Sequence, residues 1–220
     1  MPNLSIEVTA AKVVPFAAVP TIAFQLQIGN AASHEDIHTI VLRCQLQIEV
    51  TRRGYSPQEQ TRLLDLFGYP QRWGQTLRNL LWMQTSVVVP AFAGTKTSVD
   101  MNVPCTFDFN VAATKYFEGL TDGEIPLLML FSGNVFYASP ESPLQVAPIS
   151  WDLEAQCRVP VRMWQEMMAI YYPNSVWLNL HRDAFEQLYR YKVDNGIPTW
   201  EQALERLLAN EITTSPLVGM

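Results

Sequence analysis

Cysteine is nearly absent from this chain of 220 residues: Cys44, Cys105 and Cys157 stand far apart and make an odd number. A disulfide framework or a zinc ribbon uses an even set or close pairs, so reduced thiols and a cytoplasmic setting are expected. Basic residues are also few. Fifteen Lys and Arg against 21 Asp and Glu leave a net charge of −6. That argues against a nucleic-acid partner, because gripping a phosphate backbone needs a concentrated basic footprint. No apolar run approaches the ~18–20 residues of a membrane helix, so no membrane insertion is expected. The stretch Met1–Glu7 lacks the basic and apolar regions of a secretory signal. There is no G-x-S-x-G elbow, phosphate-binding Walker loop or dinucleotide glycine pattern either. What remains is 48% hydrophobic and only 16% charged, the composition of a globular chain with a generous core.

Period-2 alternation dominates the first fifty residues. Leu4, Ile6 and Val8 alternate with polar neighbours, as do Ile22, Phe24, Leu26 and Ile28. Over 40–50, Leu42, Cys44, Leu46, Ile48 and Val50 oppose Arg43, Gln45, Gln47 and Glu49. One wet face and one dry face is the pattern of an antiparallel sheet. A helical insertion at 56–82 interrupts it. Ser56-Pro57-Gln58-Glu59 is a capping box with proline at the first helical position, Gly68 can end that turn, and Trp73, Leu77, Leu80 and Leu81 suggest a second short helix. Strands resume at Val87–Val89, turn at Ala93-Gly94-Thr95, and continue over 99–109, where the alternation predicts pairing with 40–50. Asn110 is placed to cap a helix bearing Ala113, Tyr116, Phe117 and Leu120. Two further strands, 127–137 and 144–153, flank a turn at 139–143. Helices are predicted at about 161–171, 181–193 and from the capping residue Thr199 onward. The expected class is α+β, one domain over 1–220, with a β-rich part at 1–155 and a helical part at 156–220.

Strings that resemble catalytic motifs lack the context their chemistry needs. His34-Glu35-Asp36-Ile37-His38 matches the zinc-hydrolase pattern H-E-x-x-H, with Glu59 as a downstream third ligand. Two imidazoles four apart share a face only on an α-helix. This string follows Gly29–Ser33 and runs into a strand, so an acidic hairpin loop is the stronger reading and no metal is expected. His181-Arg182-Asp183 fits the first turn of a helix, with Asp183 facing the dipole. Cys44 and Cys105 fall in apolar strand register, whereas Cys157 beside Arg158 is the one candidate for an activated thiol. Asp122 and Glu124 read as loop charges. No catalytic residue and no cofactor is expected.

The helix at 161–171 differs from an ordinary one-sided helix. Met163, Met167 and Ile170 mark one side and Trp164, Met168 and Tyr171 lie beside it, so apolar side chains cover most of the circumference. Methionine and aromatic residues suit surfaces that accept varied apolar partners. The candidate partner-binding residues are therefore Met163, Trp164, Met167, Met168 and Tyr171. The partner would be a protein client, a redox-enzyme subunit or a second copy of the chain.

Two resemblances add to this reading. Pro20-Thr21-Ile22-Ala23-Phe24-Gln25-Leu26, Asp36–Val50, Phe109–Phe117 with Gly123–Pro126, and Leu144–Asp152 follow the order of strands, Ala/aromatic helix and Gly/Pro exit of the SecB export chaperones. The chain resembles that family, which implies a SecB-like antiparallel sheet and a chaperone role. The insertion at 56–82 and the tail after 155 depart from it. Pro104–Asp108, Leu130–Gly133, Ile149–Asp152 and Pro198–Trp200 resemble an uncharacterised bacterial family associated with gene clusters of actinobacterial-type nickel–iron hydrogenases. That resemblance implies an accessory or assembly role and carries no catalytic residues with it.

Overall fold

A computed structural model describes residues 2–31, 36–108, 110–139 and 142–214. His34, Glu35, Phe109 and part of the predicted 139–143 turn lie outside the described residues. Eight strands are present: β1 (Leu4–Val13), β2 (Thr21–Asn30), β3 (Ile37–Ile48), β4 (Leu80–Val89), β5 (Lys96–Pro104), β6 (Glu124–Ser139), β7 (Ser142–Pro148) and β8 (Glu154–Pro160). The helices are α1 (Pro57–Arg62), α2 (Leu64–Phe67), α3 (Trp73–Thr76), α4 (Val111–Gly119), α5 (Val161–Tyr171), α6 (Arg182–Asp194) and α7 (Trp200–Thr214). No described helix is long and apolar enough to cross a membrane.

The strands form two antiparallel sheets. One has the order β1-β2-β5, the other β4-β3-β6-β7, with β8 paired to β6. The alternation in the sequence has the expected meaning: Ile22, Phe24, Leu26 and Ile28 of β2 are buried, as are Leu42, Cys44, Leu46 and Ile48 of β3. The inner faces share one core, in which Phe24 of β2 meets Trp82 of β4 edge-on at 6.5 Å. Trp82 continues to Phe117 of α4 at 5.0 Å, and Phe117 to Trp164 of α5 at 5.4 Å. The local signals also hold. Ser56 and Glu59 form the capping box of α1, and Asn110 accepts a hydrogen bond from the Ala113 N–H at the start of α4.

Three expectations need correction. Residues 99–104 pair with β2, not with β3, whose partners are β4 and β6; alternation marks a buried face and does not choose a neighbour. The helical insertion ends at Thr76, and Leu80 and Leu81 open a strand. A bulge between Leu46 and Gln47 lets consecutive Trp82 and Met83 both turn inward, which breaks the period-2 signal there. The helical part begins at Val161, because 154–160 is β8 with Ala155 and Val159 inward. The chain divides into two compact units, Met1–Ser175 and Val176–Met220. The first holds both sheets and α1–α5; the second holds α6 and α7.

Candidate functional site

The predicted patch on α5 is a core face. Trp164, Met167 and Met168 are buried, and Met163 and Tyr171 are half-buried. The Tyr171 hydroxyl donates to the Ala17 carbonyl at 2.8 Å. The helix packs on β1 and β8 and beside α4, while Arg162, Gln165, Glu166, Ala169 and Ile170 stay exposed on the opposite side. Ile170 is the large apolar side chain of α5 that is exposed.

Reactive groups in the first unit are bound into the structure. His38 lies on strand β3, where Nε2 is 3.0 Å from the Pro143 carbonyl oxygen, so its segment is not the helix that H-E-x-x-H requires. Among the described residues no three His, Cys, Asp or Glu side chains converge for a metal ion. Burial pushes the thiols of Cys44, Cys105 and Cys157 up to about 12. The activated thiol considered at Cys157 is therefore a protonated one at neutral pH.

One cluster escaped the sequence reading. Arg53 Nη2 lies 2.8 Å from Glu59 Oε1, with both side chains nearly buried. Glu59 also accepts from the Ser56 and Thr121 N–H groups. Burial alone would raise its carboxyl, but those N–H groups and the guanidinium outweigh it and hold the acid below the usual range. The Tyr55 hydroxyl sits 2.6 Å from the Val50 carbonyl oxygen and 2.9 Å from the Tyr116 hydroxyl, while Arg53 lies over the Tyr55 ring. Every polar group here has a neighbour that satisfies it, so the cluster ties the insertion to the turn before β6. The capping box was the visible half of it; the bond from the Thr121 N–H is a tertiary contact.

The groups left open lie at a corner of the second sheet. Strand β6 is sixteen residues long and changes partner along its length: β8 pairs Glu124–Leu130, and β7 pairs from Asn134 onward. The link between β7 and β8 is stitched to β6 where the partners change, by Ile149 N–H to Gly133 O and Phe131 N–H to Leu153 O, both 2.9 Å. Gly133 has φ +137°, and a Cβ there would collide with the Val41 carbonyl oxygen, so glycine is required. At the tip of this link Trp151 is 92% exposed, and Ser150 hydrogen-bonds to Asp152 across it. Beside it is a depression of about 450 Å³ lined mainly by Leu4, Val135, Pro148, Ile149 and Leu153. Leu144 and Val146 of β7 are also more than half exposed. An indole almost wholly in water beside an apolar hollow and an uncovered strand is a surface suited to an apolar partner.

The second unit, by itself, carries a different surface. Phe185, Tyr189 and Trp200 gather with ring centroids 5.4–6.4 Å apart, and the Lys192 ammonium lies 5.4 Å from the Trp200 ring centre. No residue of α6 is buried.

The chain belongs to the family described as "Family of unknown function (DUF6084)", which matches residues 1–216. No curated protein matches it. The solved structures that align with it include two of low identity. One is a late embryogenesis abundant (LEA) protein at 11% identity and a TM-score of 0.35, over 73% of this chain and 72% of that one. The other is the CARDB domain of a Pyrococcus furiosus protein in complex with di-metal ions, at 9% identity and a TM-score of 0.28, over 72% and 91%. Neither score supports a shared fold or a shared ligand.

Proposed function

We propose that this protein is a non-catalytic protein-binding module that works in the cytoplasm as a chaperone or assembly factor. The observation that supports the reading best is the corner of the second sheet, where Trp151, Leu144 and Val146 stand in solvent around an apolar depression. Burying an indole and two aliphatic side chains offers a partner several kcal/mol, at roughly 1.5–3 kcal/mol for each fully buried large side chain. Burial raises the pKa of the thiols, and the Arg53–Glu59–Tyr55–Tyr116 cluster is internally bonded, which supports a structural use of these groups. The direction of the assembly role, toward a nickel–iron hydrogenase, rests on the family resemblance of Pro104–Asp108, Leu130–Gly133, Ile149–Asp152 and Pro198–Trp200 alone.

A photo-crosslinking side chain at position 151 tests the reading in the native host. A discrete adduct with one protein, missing when the same group sits at Gln45 on the outer face of β3, is expected. A hydrogenase subunit in that adduct would identify the assembly target. Equal, smeared labelling at both positions would overturn the reading.

A further inference from the structure

We infer that the free edge of β7 is a strand-addition site, which takes a short, uncharged, extended segment of a partner protein and seats one of its apolar side chains near the depression beside Trp151. The inference rests on the protein-binding reading above and says how that binding is made.

The geometry follows from the register. Ile149 N–H bonds to the Gly133 carbonyl, and Ala147 and Gln145 stand opposite Val135 and Tyr137. Antiparallel bonding alternates, so Ala147 and Gln145 turn their main-chain groups toward β6, while the N–H and C=O of Val146 and the N–H of Leu144 point away from it. No strand pairs with that side among the described residues. An extended backbone is the chemical complement of such an edge. Pro143 and Pro148, which have no N–H, bracket the open stretch and keep the added segment short. Val135 lies opposite Ala147 and also lines the depression, so an inward side chain of an added strand next to the small Ala147 would approach that hollow.

The other edges are guarded. Strand β1 has a bulge between Val8 and Ala10 and carries Glu7 and Lys12. Strand β5 carries Lys96 and Asp100, and β8 carries Glu154 and Arg158. On β4 the Asn110 side chain covers the carbonyls of Leu81 and Trp82 at 2.8 and 2.9 Å. In a chain of net charge −6, β7 and the residues lining the depression contain no ionisable side chain. Charge complementarity therefore selects a neutral segment over a basic one.

The test pans a displayed library of short random peptides against the full chain, then measures amide hydrogen exchange with an enriched peptide at saturation. The expected peptides are uncharged and rich in alternating β-branched or aromatic residues. The Val146 amide should then exchange at least about tenfold more slowly, while Ala147, already bonded to β6, stays unchanged. Val146→Pro, which removes an N–H the fold does not use, should weaken binding about tenfold; the exchange measurement on the unaltered chain decides the matter if that variant folds poorly. Enriched peptides that leave Val146 exchange unchanged overturn the inference, yet the protein-binding reading survives if they protect the Trp151 link or the second unit. No enriched peptide, together with no discrete adduct at position 151, defeats both. Protection of Val146 in the peptide-free protein that fades on dilution would show a second copy on this edge and overturn the foreign segment.

Discussion

A carboxylate lies deeper in the first unit than an aromatic ring does in the second: Glu59 is 3% exposed, Phe185 46%. Polarity does not explain that order, but available partners do. Glu59 on α1 has an Arg53 guanidinium and two main-chain N–H groups around it, which replace the water it loses. Phe185 on α6 has Tyr189 and Trp200 beside it, and a pair of helices offers no further layer to cover the other side of the ring. Helices α5 and α6 repeat the contrast. Both carry large aromatic side chains, yet α5 buries Trp164, Met167 and Met168 while α6 buries nothing. Burial here measures what surrounds a residue, and only secondarily what the residue is.

The strongest way to break that comparison is to put a carboxylate where no partner waits. Leu46 is as buried as Glu59 but belongs to the hydrophobic core. Leu46→Asp should cost several kcal/mol against a typical total of roughly 5–15 and abolish the folded state. Gln45→Asp, facing outward on the same strand, should leave the melting curve nearly unchanged. Equal tolerance, read by circular dichroism, would show that the buried face is wrongly assigned.

Next in size is Trp164→Ala, expected to cost about 3–5 kcal/mol because the indole fills core space against Phe117. A shift in melting temperature of only a degree or so in the purified protein would return α5 to the surface.

Glu59 gives a pH-dependent effect. Its folded-state pKa lies below the unfolded value of about 4.3. The stabilisation it provides is therefore complete above that value and drains away as pH falls through the folded pKa. Denaturant titrations below about pH 5 should show the wild type losing stability more steeply than Glu59→Gln. At neutral pH the variant should be weaker, because Arg53 keeps its charge without a counterion. Parallel acid profiles for the two proteins would mean that the carboxylate is not held ionised.

The smallest change is expected from Phe185→Ala. With half of the ring in water already, losing its contacts to Tyr189 and Trp200 should cost no more than about 1 kcal/mol. A loss as large as that of Trp164→Ala would mean that α6 is covered in solution.

How far the fold could be read in advance varied with how local each cause was. The alternation of β2 and β3 was visible because side chains on a strand alternate between faces whatever the neighbour. The Ser56 capping box and the Asn110 cap were visible because their partners lie three residues away. Residues 80–83 were misread because the bulge opposite them is set by β3, more than thirty positions upstream. The candidate site fared worst: the α5 stripe was found but is covered, while Trp151 was noted only as part of a family-like string.

The residues alone determined that this chain buries alternating faces in antiparallel sheets and caps α1 and α4. Periodicity and capping arise from backbone geometry within a few residues, so they survive without knowledge of the whole. Only the tertiary structure decided that β3 lies between β4 and β6, that α5 buries one side in the core, and that β7 ends its sheet among the described residues. Each of those depends on which distant segment occupies the space beside it, and a local pattern states which face is apolar without stating what will cover it.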